Sequence, residues 1–185
     1  VRDPIIAGAH WITAVQTVAA RSIDPLDSVV ITVGSIHGGN ASNVVPQEVV
    51  LDGTTRAIGD GVQTRIRKRM QGISRGIEAG FEVQCNLEFT DGYPAVINDS
   101  NISRLLYDTA IELFGPEKAE YVRPSTGGED FAFFAQQKPS AIIRLGCGPT
   151  SGDFNPLHSP YFDIDERILG LGVELFAAAV KRYLN

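Results

Sequence analysis

The 185-residue sequence predicts an α/β protein in two parts, and three observations support this prediction. Residues 1–91 contain segments in the order helix, strand, strand, helix, strand. Residues 90–100, TDGYPAVINDS, then interrupt the hydrophobic periodicity and mark a boundary. Beyond them, helical segments alternate with short apolar segments, as in an α/β layer structure. We therefore predict one domain at residues 1–91 and a second domain at residues 92–185.

Two helices are predicted in the first domain. In residues 4–20 apolar side chains recur at helical spacing, Asp3 is a candidate N-cap, and Pro4 suits the first turn because no N–H is needed there. The second helix follows the sequence GDG at residues 59–61, and its apolar stripe comprises Val62, Ile66, Met70, Ile73, Ile77 and Phe81. Its other positions form a hydrated basic face made by Arg65, Arg67, Lys68, Arg69 and Arg75.

Three strands are predicted in the same domain. Residues 29–36 and 48–58 are rich in β-branched side chains and are separated by a connection of Gly, Asn and Pro. Residues 81–89, FEVQCNLEF, alternate apolar and polar side chains throughout, which predicts a strand with one wet face. One more strand before the first helix would complete the order β-α-β-β-α-β. The first domain is therefore predicted to be a ferredoxin-like unit that lacks its first strand.

The second domain is predicted to alternate helices with short strands. A helix at residues 101–115 ends at Gly115–Pro116, as helices often do. Short strands are predicted at residues 120–124 and 141–148, on either side of a glycine turn and helix at residues 126–137. The last helix is amphipathic and carries Ile168, Leu171, Leu175, Ala179 and Tyr183.

Composition excludes several classes of protein. The net charge of −6 argues against a general nucleic-acid binder, and no apolar run approaches the roughly 20 residues of a membrane span. The two cysteines lack the spacing of a disulfide framework or a zinc finger. No signal peptide begins the chain, so we expect a cytoplasmic location. The chain lacks an initiating Met and begins at a helix, so we expect it to be part of a longer protein.

His158 is the first candidate for chemistry, in the sequence NPLHSPYFDIDE at residues 155–166. Pro156 and Pro160 stiffen the chain around it, which suits a metal ligand that must be presented in one geometry. A hydrogen-bonded structural histidine is the alternative. Zinc requires about three or four protein ligands, and the sequence contains no HxxxH, HxD or HExxH.

The sequence STGGEDFAFF at residues 125–134 is the second candidate. Gly127 and Gly128 would allow the backbone to approach a ligand closely, and the amides of a helix start attract anions. Alternatively, Glu129 and Asp130 only complement the dipole of the following helix.

Polar side chains on the two strands of the first domain are the third candidate. His37, Asn40 and Asn43 lie in IHGGNASNVVP beside two glycines, where they could stabilise an oxyanion or form an ordinary polar hairpin loop. Arg56 on the next strand could clamp a carboxylate, or be a surface charge.

Four separated motifs together resemble the metal-dependent aminoacylase/carboxypeptidase superfamily. They are residues 24–57, GYPAVIND at 92–99, STGGEDFAFF at 125–134 and LHSPYFDIDE at 157–166. The branch they resemble includes hippurate hydrolase, N-acyl-amino-acid amidohydrolases and plant auxin-conjugate hydrolases. The resemblance covers essentially the whole chain and is to the C-terminal half of these enzymes. It implies a ferredoxin-like lid that mediates homodimerisation, followed by the C-terminal part of an α/β metallohydrolase domain.

The resemblance also implies roles for individual residues. His158 matches a ligand of two divalent ions, Zn or Mn, whose other ligands and general-base glutamate belong to an N-terminal half absent from this sequence. His37 matches a histidine that stabilises the oxyanion, in some members from the neighbouring subunit. The resemblance further implies that the substrate, an N-acyl amino acid or small peptide, is contacted by Asn43, Arg56, Gly128 and Glu129.

These implications leave more than one function open for the chain. It is either part of a metal-dependent amidohydrolase, inactive by itself, or a non-catalytic dimerisation module or truncated gene product. A regulatory domain that binds a small molecule is a third alternative, but it leaves the LHSPYFDIDE motif unexplained.

Overall fold

The computed structural model describes residues 2–59, 61–148 and 155–185. The chain divides into two compact units. The first comprises Val1–Gly92 with Ser125–Gly127, and the second comprises Tyr93–Pro124 with Gly128–Asn185. Asp60 of the predicted GDG turn lies outside the described residues. Within the described ranges, no helix combines the length and apolar character that crossing a membrane requires.

Two helices cover the sheet of the first unit. Helix α1, Pro4–Thr17, continues into a π-helical turn, and helix α2 is Val62–Phe81. The predicted N-cap is confirmed, because the Asp3 carboxylate accepts hydrogen bonds from the backbone N–H groups of Ile5 and Ile6 at 2.9 and 3.4 Å. The helices are also joined by a polar contact, in which the Trp11 indole N–H donates to the Ser74 hydroxyl at 2.9 Å.

The sheet consists of two antiparallel strands, β1 (Ser28–His37) and β2 (Val50–Ile58). The register pairs Ser28 with Ile58 and His37 with Val50, and a bulge interrupts it between Val33 and Ser35. Gly53 lies opposite this bulge, where an added Cβ would come within 2.3 Å of the Thr32 carbonyl oxygen. Only glycine fits this close approach of two backbones.

The core of the first unit lies between the helices and one face of the sheet. Its buried cluster comes from α1, the residues after it and α2, and comprises Val15, Val18, Ile23, Val62, Ile66 and Met70. Most of the apolar stripe predicted for α2 is therefore buried as expected. The cluster is closed by half-buried apolar side chains, namely Trp11, Val29, Ile31, Val33, Ala57, Ile73, Leu87 and Phe89.

The prediction of a strand at residues 81–89 is wrong, because this segment forms no hydrogen-bonded ladder in the described structure. Among the described residues the segment pairs with no neighbour, and β1 and β2 form a two-stranded sheet. Its side chains nevertheless alternate between half-buried and exposed over the whole length, as the sequence predicts. The side chains alternate because the extended segment has the core on one side and solvent on the other. A ladder requires in addition a neighbouring strand with free backbone groups, and the described structure has none beside this segment.

Two long helices form the core of the second unit. Helix α3, Ser100–Phe114, is capped by the Asp99 carboxylate, which accepts from the N–H groups of Asn101 and Ile102 at 2.9 and 3.0 Å. Helix α3 packs against α5, Arg167–Leu184, and the buried residues of the pair are Leu106, Thr109, Leu175 and Ala179. A short helix α4, Ala132–Ala135, follows the glycine turn and is shorter than predicted.

The strands predicted at residues 120–124 and 141–148 are also wrong, because neither forms a ladder in the described structure. The second segment is held by a side chain. The Asn98 amide donates to the Ile142 carbonyl at 3.0 Å, and its oxygen accepts from the Ile142 N–H at 2.9 Å. The amide therefore replaces one residue of a partner strand. Apolar composition identified an extended segment, but a pattern within one segment cannot reveal whether a partner strand is beside it.

Candidate functional site

His158 occupies the third position of a β-turn. The Ser159 N–H donates to the Pro156 carbonyl at 3.0 Å, and His158 has a φ of 71°. Left-handed backbone at this position normally selects glycine, because a Cβ adds strain, although histidine is among the side chains that occur there more often. Its imidazole is exposed to solvent. The backbone therefore holds an accessible imidazole in an unfavourable conformation, which is more typical of functional than of packing residues.

A second turn follows directly and fixes the chain after His158. The Phe162 N–H donates to the Ser159 carbonyl at 3.0 Å, and the Tyr161 N–H donates to the Ser159 hydroxyl at 3.2 Å. Pro160 is the second residue of this turn, a position that its fixed φ favours. Two consecutive turns with prolines at defined positions thus limit the movement of His158.

The same loop is tied to the start of α5 by Asp165. The Arg167 side-chain N–H groups donate to the Asp165 carboxylate, with Nε at 2.8 and 3.0 Å from its two oxygens. These bonds, and a further one from the Arg167 backbone N–H, lower the pKa of Asp165 from its ordinary value to about 2. The Asp165 N–H in turn donates to the Cys147 carbonyl at 3.1 Å. The loop is therefore anchored by a carboxylate that stays charged through the neutral range.

Glu129 acts as a local cap at the glycine turn. Its carboxylate accepts from the Phe131 N–H at 3.3 Å, and its carbonyl accepts from the Ala132 N–H at 3.3 Å. Gly128 and Glu129 are both exposed. Because α4 has only four residues, its dipole gives little attraction for an anion. The exposed backbone of Gly128 is the feature of this turn that a ligand could approach.

Arg56 contacts the glycine turn. Its guanidinium donates to the Thr126 carbonyl at 3.1 Å, within the first unit. Arg56 thus holds the residue directly before Gly127, using one of its five N–H donors. The sequence left Arg56 as either a carboxylate clamp or a surface charge and gave no sign of this contact, since the two residues are 70 positions apart.

His37 and Asn43 lie on one connection, between β1 and β2. His37 is the last residue of β1 and pairs with Val50, and Asn43 lies six residues further along; both side chains are exposed. Gly38 is required at the start of this loop, because an added Cβ would lie 2.6 Å from a methyl carbon of Val49. The loop therefore exposes the His37 imidazole and the Asn43 amide to solvent, while Gly38 at its start packs tightly against Val49.

The described residues do not build a metal site. Across residues 2–59, 61–148 and 155–185, no group of three or more His, Cys, Asp and Glu side chains is arranged to hold a metal ion. His158 accordingly belongs to no such group within these ranges. It is one candidate ligand where zinc requires about three or four.

Comparison with known proteins identifies the family of the chain. The model of peptidase family M20/M25/M40 matches residues 5–182, which is nearly the whole sequence. The chain belongs to this family. The predicted resemblance to metal-dependent aminoacylases and carboxypeptidases is therefore confirmed at the level of the family.

Several M20 relatives match along almost the entire chain. The N-acetyl-L-cysteine deacetylase of Bacillus subtilis is 34% identical over 187 residues, covering 99% of this chain and 42% of the relative. The N-acetyldiaminopimelate deacetylase of Shouchella clausii is 34% identical, covering 95% and 46%. The IAA-amino acid hydrolase ILR1-like 4 of Arabidopsis thaliana is 30% identical, covering 98% and 42%. The chain thus spans less than half the length of the curated relatives it matches.

Two solved structures share the fold. A crystal structure from methicillin-resistant Staphylococcus aureus has a TM-score of 0.89 and 34% identity, covering 100% of this chain and 47% of that chain. The Bacillus subtilis YXEP protein, described as a dinuclear metal-binding peptidase of the M20 family, has a TM-score of 0.78 and 25% identity, covering 96% and 45%. The predicted α/β fold class is confirmed by these similarities.

Proposed function

We propose that this chain is part of a metal-dependent hydrolase that cleaves the amide bond of N-acyl amino acids or small peptides. The observation that carries the proposal is the match to M20 family members over residues 5–182. Two of the relatives are named as deacetylases of N-acetylated amino acids, and a third as a hydrolase of IAA-amino acids. All three names describe removal of an acyl group from an amino acid.

His158 is the metal ligand that we propose this chain contributes. Its exposed imidazole and its fixed left-handed backbone support this role. The described residues do not hold a metal by themselves. We propose that the remaining ligands and the general base belong to the N-terminal half that the family resemblance implies. A pair of divalent ions, Zn or Mn, fits the description of the YXEP protein as dinuclear.

The remaining candidate residues are proposed to contact the substrate. An imidazole and an amide on the exposed β1–β2 connection suit the stabilisation of an oxyanion and the binding of a substrate amide, so we assign these roles to His37 and Asn43. In a homodimer formed through the first domain, His37 would act on the partner subunit's substrate. We also assign Gly128 and Glu129 to contact with the substrate. Arg56 would bind a substrate carboxylate with donors other than the one that contacts Thr126.

A chimera tests the proposed function directly. In it, this chain replaces the matching region of the Bacillus subtilis N-acetyl-L-cysteine deacetylase. The match between the two proteins covers 99% of this chain. We expect the chimera to release acetate from N-acetylated amino acids in the presence of Zn²⁺ or Mn²⁺. Substitution His158→Ala should abolish this turnover. His10→Ala is the matched control, because His10 is also an exposed histidine and its ring contacts Phe81 in the first unit.

Two results would contradict the proposal. One is a folded chimera that binds metal but hydrolyses no N-acyl amino acid. The other is full activity of the His158→Ala chimera. The unfused chain should have no activity with either metal, because its described residues form no group of three or more metal-ligating side chains.

A further inference from the structure

Helix α2 carries a surface of concentrated positive charge on an acidic protein. Residues 61–77 contain five basic side chains and no acidic one, whereas the chain as a whole has a net charge of −6. Two of the five are used within the first unit, because Arg65 pairs with Asp27 and Arg67 pairs with Asp91. The remaining three have no carboxylate partner in the described part of the chain, and they are Lys68, Arg69 and Arg75.

These three cations surround Gly72 on one exposed side of α2. Lys68 and Arg69 come about one helical turn before Gly72 and Arg75 about one turn after it, so all three are its neighbours on the helix surface. The Arg75 guanidinium bends back towards Gly72, since its Nη2 lies 3.8 Å from the position that a Cβ on Gly72 would take. All three side chains are exposed, and Arg69 also donates to the Ser22 hydroxyl at 3.2 Å. An anion bound beside Gly72 would therefore be attracted by all three charges at once.

A row of glycines opens the same side of α2 to another backbone. Gly72, Gly76 and Gly80 recur at intervals of four, so they form one row along the helix. A Cβ added to Gly76 or Gly80 would meet no other segment or side chain within 4 Å among the described residues. Packing within the chain therefore does not require these glycines, although glycine inside a helix is less stable than alanine. The row is a groove without side chains, into which a second helix can fit a row of its own.

We propose that this side of α2, from Lys68 to Gly80, binds an acidic helix of a partner protein. Charge complementarity selects the occupant. A helix that lies along the glycine row places carboxylates about one turn apart beside Lys68, Arg69 and Arg75, where arginine can bind a carboxylate through two N–H groups. The same side of a second α2 offers no such carboxylate, since the Glu78 carboxylate accepts from the Cys85 N–H.

The length of the charged surface also favours a helix over an extended polyanion. From Lys68 to Arg75 the helix rises about 10 Å, or about two turns. Carboxylates lie beyond both ends, with Asp27 beside Arg65 and Glu82 directly after the helix. A nucleic-acid duplex or a membrane presents phosphates over a wider area and would meet these carboxylates, whereas one helix presents two or three carboxylates within two turns. This inference does not depend on the proposed hydrolytic activity.

Peptide binding to the purified chain tests the proposal. The probe is an alanine-based helical peptide with glutamates on one face at spacings of three and four, matched to the 20 residues of α2. The same peptide with lysine in place of each glutamate is the control. Isothermal titration calorimetry measures the affinity at low and high salt concentration. Chemical-shift changes in nuclear magnetic resonance spectra locate the bound peptide on the chain.

Three variants of the chain separate the effect of charge from the effect of shape. The double substitution Lys68→Glu with Arg75→Glu reverses two charges of the surface. Lys118→Glu with Lys138→Glu is the matched control, because it changes the net charge equally at two exposed lysines in the second unit. Gly76→Leu fills the groove with a side chain, and it should raise the melting temperature because leucine favours a helix more than glycine does.

The proposal predicts that the glutamate peptide binds, that the lysine peptide does not, and that the shift changes concentrate at residues 68–80. Higher salt should weaken the binding, because the charges are exposed. Reversal of the two charges on α2 should weaken it by at least about tenfold, and the control pair by less than about twofold. Gly76→Leu should also weaken the binding although the variant is more stable.

Several results would overturn the proposal. They are absence of binding to the glutamate peptide, equal weakening by the two charge-reversal pairs, and unchanged affinity of the Gly76→Leu variant. Sedimentation would also overturn it by showing a dimer that is lost with Lys68→Glu and Arg75→Glu, since the occupant would then be a second copy. Tighter binding of duplex DNA or of anionic lipid vesicles than of the peptide would overturn it in favour of a phosphate-bearing polyanion.

Discussion

His158 illustrates how much of a site a sequence reveals at the scale of one residue. The flanking prolines and the motif LHSP are enough to identify it as a candidate metal ligand. The left-handed backbone of His158 could not be predicted, because the residue is not a glycine and the turn depends on the hydrogen bond from Ser159 to Pro156. The contact of Arg56 with Thr126 could not be predicted either, since it joins residues that are distant in the sequence.

The strain at His158 predicts an effect on stability. Substitution His158→Gly should raise the free energy of unfolding by up to about 1 kcal/mol, because glycine adopts a positive φ without the Cβ clash. Leu157→Gly is the matched control. It changes the neighbouring exposed residue, whose φ is not in the left-handed region, and should lower stability. Urea unfolding of the variants measures both effects. A His158→Gly variant as destabilised as Leu157→Gly would show that the turn holds no strain.

At the scale of elements, the sequence predicted helices better than strands. Apolar residues at helical spacing identified α1, α2 and α5, and the helix predicted at residues 101–115 corresponds to α3. Helices are easier to predict because a helix satisfies its hydrogen bonds within one segment. The other segments predicted to be strands form no ladder in the described structure. A strand depends on a partner that can be far along the chain, and a local pattern carries no information about that partner.

The start of α5 should respond to acid. Asp165 has its pKa lowered to about 2, first by the Arg167 side chain and then by the Arg167 backbone N–H. A lowered carboxyl pKa stabilises the folded state at pH values above the ordinary pKa of 3.8. This contribution is lost as the pH falls from about 4 to about 2.

Nuclear magnetic resonance titration of the Asp165 carboxyl should therefore give a midpoint near the lower value. In the Asp165→Asn variant, the amide of Arg167 should lose its pH-dependent shift in this range. A carboxyl that titrates at its ordinary pKa would contradict the ion pair.

At the scale of the whole molecule, the chain spans less than half the length of its relatives. Helix α5 buries Leu175 and Ala179 but exposes a second apolar row along Val173, Phe176 and Val180, with Val173 71% exposed. A helix that is apolar on two sides normally packs against two neighbours. Of the stripe that the sequence predicted for α5, Leu175 and Ala179 are buried, whereas Leu171 and Tyr183 are exposed. The exposed row became evident only in the structure.

The exposed row predicts association of the isolated chain. The double substitution Val173→Lys with Phe176→Lys should reduce binding of a hydrophobic dye and reduce aggregation, without lowering the free energy of unfolding by more than about 0.5 kcal/mol. Leu175→Lys is the matched control, because Leu175 is only 5% exposed and a buried lysine should unfold the second unit. Equal loss of structure in both variants, seen by circular dichroism, would show that the row is part of the core.

The central claim is that His158 serves as one ligand of a metal site completed by residues outside this chain. The most direct test is a Zn²⁺ titration of the chimera with the Bacillus subtilis deacetylase, comparing the parent chimera with its His158→Ala and His10→Ala variants. The claim predicts that His158→Ala weakens metal binding by more than about tenfold, since even groups that only orient ligands can have that effect. It also predicts that His10→Ala leaves binding unchanged. Identical affinity in all three proteins would contradict the claim.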